Sequence, residues 1–203
     1  MEPNLCHVFV FVDDRAAARA ALQACGLVET FHRAHPGQGT ANVCACFDNA
    51  YLEVLWAEDP AELGSTLVAR TRLAERSRWR DTGACPFGIG MSGRLPFPCW
   101  DYRAPFLPEG DGIQVALASD DPRQPFLFRS PGGSKPQSGQ PGLRGIAGIH
   151  LDLPVGASPA VRALAEKGFL TASPAVRHRM LLKISTDAGG YKLLSLPDFV
   201  WVE

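Results

Sequence analysis

Two segments at opposite ends of the 203-residue chain carry the same order of secondary-structure signals, and their spacing constrains the fold more than composition does. Residues 5–12 are β-branched and aromatic. Strand alternation puts His7, Phe9 and Phe11 on one face and Val8, Val10 and Val12 on the other. Asp13 or Asp14 can cap a helix through the alanine-rich residues 16–24, which Gly26 then stops. Residues 27–33 read as extended, and residues 40–47 and 50–56 as a hairpin turning at Asp48-Asn49. Towards the other end, residues 148–153 form a strand holding His150. Ser158-Pro159 opens a helix that ends at Gly168-Phe169, and residues 180–185 and 191–196 read as strands. From His7 to Gly26 is 19 residues, and from His150 to Gly168 it is 18; from His7 to Tyr51 is 44, and from His150 to Tyr191 it is 41. Two half-covered units of this kind can pair their open faces across a cleft. The expected division is a first unit over 1–56, a helical and Pro/Gly-rich connection over 57–143, and a second unit over 144–203. The connection keeps strand candidates at 87–91, 113–118 and 126–129, so a degenerate unit there is the competing arrangement.

Twenty basic side chains against 21 acidic ones leave a formal charge of −1. With no basic surplus, neither nucleic acid nor an anionic membrane is an expected partner. No apolar run reaches spanning length, and the opening residues carry acids rather than a basic region, which argues against a signal peptide. Six irregularly spaced cysteines fit reduced thiols in a cytoplasmic protein. Arg72, Arg76 and Arg80 fall on one helix face, read as a solvated face with an anion clamp as the alternative. Residues 130–142 (SPGGSKPQSGQPG) read as a linker. His32 and His178 sit in polar stretches and are expected to face solvent.

Chemistry concentrates in a few places. Glu53 lies in an apolar strand beside Tyr51 and Leu55, and a buried carboxylate must be neutralised, paired or metal-bound. If its strand adjoins the first one, Glu53 meets His7; an imidazole and a carboxylate are suitable ligands for zinc, iron, nickel or manganese. In residues 35–42 (HPGQGTAN), two glycines allow tight turns. His35, Gln38, Thr40 and Asn42 then offer neutral donors and acceptors, either to a substrate or to the loop itself. The string lacks the ending of a phosphate loop. Cys44 and Cys46 share a strand face and read as small buried hydrophobes. Trp56, Trp79, Trp100, Phe87 and Tyr102 are available to line a cleft by stacking.

With HPGQGTAN followed by NAYLEVLW (49–56) and His7 on the opening strand, the chain resembles glyoxalase-like proteins of the vicinal oxygen chelate superfamily. The likeness is closest over 5–56 and moderate through 70–89. It implies an α+β fold of paired βαβββ modules forming a curved mixed sheet around a cleft, here with a degenerate second module. It also implies a small-molecule ligand and, in many members, a divalent metal. The metal ligands would fall on His7, Glu53 and His150, with Glu53 also moving a proton. The second module's closing carboxylate should lie near Leu193 or Ser195, neither of which is acidic, so Asp152 is the substitute candidate. If residues 87–91 open the second module instead, no ligand follows and His150 is structural. The functions implied are a metal-assisted lyase, isomerase or dioxygenase on a small oxygenated molecule, or a metal-free sequestering protein of the bleomycin-resistance type. Open sheet edges would make a homodimer reasonable.

Overall fold

The computed structural model describes residues 2–130 and 139–202. Most of the expected linker over 130–142 therefore lies outside the described residues. The elements in chain order are β1 (Asn4–Phe11), α1 (Arg15–Ala24), β2 (Phe31–His35), β3 (Thr40–Cys46), β4 (Tyr51–Ala57), α2 (Pro60–Leu63), α3 (Leu73–Ser77), α4 (Trp79–Thr82), β5 (Phe87–Ser92), β6 (Cys99–Tyr102), β7 (Ile113–Ala116), β8 (Phe126–Arg129), β9 (Leu143–Leu153), α5 (Pro159–Glu166), β10 (Thr171–Pro174), β11 (Arg179–Thr186), β12 (Tyr191–Leu196) and β13 (Val200–Val202). No helix among the described residues is long and apolar enough to cross a membrane.

The first eight strands make one sheet in the order β2-β3-β4-β1-β5-β8-β7-β6. β1 and β4 are parallel, β5 and β8 are parallel, and β1 meets β5 antiparallel at the centre. The sheet is thus two four-stranded halves back to back, the second built by residues 87–129. This corrects the expected pairing of the chain's two ends. β9 is hydrogen-bonded to β10 on one edge and β11 on the other, inside a separate five-stranded sheet ordered β10-β9-β11-β12-β13. β1 likewise has both edges filled, by β4 and β5. The two strands therefore cannot pair, and the matching spacings record two different topologies with the same element order. The second half of the large sheet lacks a crossover helix, because the connection 93–98 is short and holds Pro96 and Pro98.

Strand alternation decides what each face of the large sheet meets. Val8, Val10, Leu52, Val54 and Ile89 pack with Ala18 and Leu22 of α1, and with Ile149, Leu151 and Leu182 of the small sheet, in one apolar cluster. Burial of this face supplies the main driving force holding the two sheets together. Phe9, Phe11, Leu55, Phe126 and Phe128 point the other way and pack with Leu63, Val68 and Leu73 from the segment after β4. That segment is no single helix. Gly64 ends α2, and Arg72 takes a left-handed conformation (φ 58°) before α3. Arg76 is correspondingly not on a solvated face. It is fully buried and donates to the carbonyls of Cys85, Pro122, Gln124, Ser119 and Asp121. Arg72 and Arg80 do stay outside, paired with Glu75 and Asp13.

Capping follows the sequence closely. Asp14 accepts from Ala17 N–H at the start of α1, and Ser158 accepts from Val161 N–H at the start of α5, with Pro159 as its first residue.

Candidate ligand-binding site

The face of the large sheet that carries Phe9 opens into a cavity of about 700 Å³. Cross-strand register builds its floor. His7 stands beside Tyr51 on β4 and Gly90 on β5; Phe9 stands beside Glu53 and Gly88; Gly88 and Gly90 in turn stand beside Phe126 and Phe128. The glycines are required here. A Cβ on Gly90 would lie 2.5 Å from His7 Cε1, and one on Gly88 2.1 Å from Phe9 Cε1. The His7 and Phe9 rings therefore lie over bare backbone of the second half. The His7 ring also stacks on Tyr51 at 4.5 Å and meets the Phe128 ring edge-on at 5.1 Å.

Glu53 is the buried acid of this floor. Its Oε2 lies 3.5 Å from His7 Nε2, and its Oε1 accepts a short hydrogen bond from Asn42 Nδ2. The Asn42 amide is oriented by the Arg33 backbone N–H, which donates to Oδ1 at 2.9 Å and leaves the amine end for Glu53. Burial pushes the Glu53 carboxyl up to about 7, against the opposing pull of Asn42 and of the Arg33 charge. Burial also pushes the His7 imidazole down to about 3, helped by His35. Despite their proximity, His7 and Glu53 are not a stable ion pair; near neutrality a neutral imidazole faces a carboxyl poised to gain or lose its proton. His7 Nδ1 is buried without a hydrogen-bond partner.

The loop after β2 forms one wall. His35 Nδ1 and Thr40 Oγ1 are 2.9 Å apart, Gln38 Nε2 donates to Thr40 Oγ1, and Tyr102 Oη donates to Gln38 Oε1. His35, Gln38 and Asn42 line the cavity. Thr40 is buried and is bonded to His35 and Gln38. Trp56 does not reach the site. Its position on β4 has the parity of Leu52 and Val54, which sends it into the core on the opposite face. Phe87 lies in that same core, Trp79 and Trp100 pack outside the cavity, and Tyr102 alone of the expected aromatic set lines it.

His150 is not brought to His7 and Glu53. It sits on the small sheet, on the face opposite Ile149 and Leu151, so the shared core lies between them. Both its ring nitrogens are engaged, Nδ1 with Thr171 Oγ1 at 2.7 Å and Nε2 with Asp152 Oδ1 at 3.1 Å. Asp152 is taken up by Arg179 as well. His178, expected in solvent, is buried with Nε2 3.3 Å from the Gly83 carbonyl, whereas His32 is exposed. Leu193 and Ser195 also belong to the small sheet.

The register shows what a metal would find. On this floor β1 sets His7 and Phe9 against Gly90 and Gly88 of β5, with Tyr51 and Glu53 of β4 on one side and Phe126 and Phe128 of β8 on the other. The first half places His7 and Glu53 there, and β5 and β8 of the second half place glycines and phenylalanines beside them. Among the described residues no group of three or more His, Cys, Asp or Glu is gathered to hold an ion. This donor set does not fit a divalent metal held by three or more protein ligands.

Several cavity residues carried no sequence expectation, chiefly Phe31, Arg33, Phe106 and Phe128. Phe31 and Arg33 were legible in principle, since the two-residue strand period puts them on the face of His35.

The described chain is thus an α+β protein whose large sheet has two back-to-back four-stranded halves and carries a polar site on one face. Residues 5–85 match the family model described as a glyoxalase-like domain. No curated protein matches the chain. Among solved structures, methylmalonyl-CoA epimerase of Streptomyces coelicolor is similar at 13% identity, over 63% of this chain and 96% of that one, with a TM-score of 0.41. The Mycobacterium tuberculosis methylmalonyl-CoA epimerase matches at 13% identity, over 62% and 85%, with a TM-score of 0.38. 4-Hydroxymandelate synthase from Streptomyces coelicolor matches at 14% identity, over 100% of this chain and 65% of that one, with a TM-score of 0.46.

Proposed function

We propose that the cleft takes up a small oxygenated organic molecule with an apolar body, and that Glu53 exchanges a proton with it. The observation that carries this reading is a buried carboxyl, with a proton affinity raised to about 7, opening onto a cavity walled by Phe9, Phe31, Tyr51, Phe126 and Phe128. A group titrating near the working pH can both accept and return a proton, which is what general acid–base catalysis requires. The neutral His7 and the Asn42 amide hold the carboxyl in place, and the aromatic walls keep the apolar body out of water. The scheme routes no step through a metal, because among the described residues no group of three or more His, Cys, Asp or Glu is gathered to hold one.

A purely sequestering protein would use the same walls and need no proton transfer. The two readings part on exchange. Small aromatic ketones and hydroxy compounds are screened by ligand-observed NMR, and binders are then incubated in deuterated water. Deuterium incorporation next to the carbonyl that is lost in Glu53→Gln, with binding retained, supports proton transfer. Binding without incorporation supports sequestration. Binding that survives Ser92→Trp, which fills the cavity wall, contradicts the site itself.

A further inference from the structure

Resting on that reading of the cleft, we infer that its ligand is an organic monocarboxylate, held by its anionic end at Arg33 with its apolar body over the phenylalanine floor. Among the described residues lining the cavity, Arg33 is the sole lysine or arginine. It also lines a smaller hollow with Ala34, Pro36, Phe106, Leu107, Pro108 and Asp111, so it stands where the two meet. Its backbone N–H is committed to Asn42. Its guanidinium has no carboxylate within 4.0 Å among the described residues, a state it shares with several arginines away from the cavity.

An uncommitted planar cation beside an apolar chamber is matched to an anion whose remainder is apolar. A guanidinium presents two parallel N–H groups to a carboxylate. A phosphate dianion would call for more than one cation, and the described residues of the lining offer no second. The acids nearby are the buried Glu53 in the main cavity and Asp111 in the smaller hollow. Neither lies within ion-pair distance of Arg33, so the anionic end of a ligand has that position to itself. The charge at Arg33 also favours the ionised form of Glu53. A bound carboxylate would neutralise that charge and bring the Glu53 proton affinity higher.

The test compares 2-naphthylacetate with 2-naphthylacetamide, which share the ring system and differ in charge, by isothermal titration calorimetry. Wild type is expected to bind the acid at least tenfold more tightly than the amide. Arg33→Gln is expected to abolish that preference while leaving the amide affinity within twofold, and Arg33→Lys to restore part of it. Arg162→Gln, a charge change away from the cavity, should leave both affinities unchanged. Equal affinities in wild type, or a preference that survives Arg33→Gln, overturn the assignment of Arg33. If acid and amide bind equally and Ser92→Trp abolishes both, the cleft stands as a ring-binding site and only the anionic anchor falls. If neither probe binds wild type, both the anchor and the proposed cleft function fall.

Discussion

His7 and Gly90 occupy paired positions across the β1–β5 seam, and the imidazole lies where a side chain on residue 90 would have to be. The second half thus leaves room for the His7 ring by having no side chain at residue 90. Gly90→Ala is expected to push the His7 ring off Tyr51 and to cost about 1–3 kcal/mol, the usual range for overpacking a filled interior. Thermal or urea denaturation checks this. Unchanged stability together with an unchanged His7 NMR signal would mean that the ring does not rest on that backbone.

Glu53 and His7 push stability in opposite directions with pH. Folding raises the Glu53 carboxyl from 4.5 to about 7, so the folded state binds more protons than the unfolded one between these values. Stability from this group therefore falls as pH rises through that window. His7 is lowered from 6.5 to about 3, so there the unfolded state binds more protons, and stability rises from about pH 3 to 6.5. Glu53→Gln removes the first effect alone. The variant should gain on wild type in melting temperature from pH 5 to pH 8, and the reverse trend would contradict a raised Glu53.

Arg76 is expected to be the most costly of the three expected helix-face arginines to lose. Arg76→Met strips five carbonyl contacts from a buried loop and should destabilise the protein by about 3 kcal/mol or more. Arg72→Met and Arg80→Met break exposed pairs and should stay within about 1 kcal/mol. Urea unfolding midpoints separate these outcomes.

Much of the first half was legible because strong local signals agreed there. The alternation in β1, the Asp14 cap and the Asp48-Asn49 turn all point to one βαβββ unit, and the apolar setting of Glu53 marked it as unusual. The second half was not legible. β6, β7 and β8 have four residues each, prolines interrupt their connections, and no helix separates β5 from β6. Its cleft face is glycine and phenylalanine, which read as core rather than as site. His150 drew attention through a spacing that two different topologies share. Arg33 was passed over because a polar, exposed edge strand carries no burial signal; register with Asn42 is what places it at the cavity.

Divalent metal is expected to leave the melting temperature unchanged. With donors from one half only, zinc, nickel, manganese and iron(II) at micromolar excess should shift wild type no more than they shift a His7→Gln, Glu53→Gln double variant. Selective stabilisation of wild type, accompanied by stoichiometric metal on elemental analysis, would contradict the reading of the donor set.

The most direct measurement is a ¹³C NMR titration of the Glu53 side-chain carboxyl, assigned by comparison with Glu53→Gln, with and without bound 2-naphthylacetate. A midpoint near 7 in the free protein, moving upward when the cavity is filled, is the expected result. A midpoint near 4.5 that does not respond to the ligand would contradict a buried, proton-exchanging acid at the centre of the cleft.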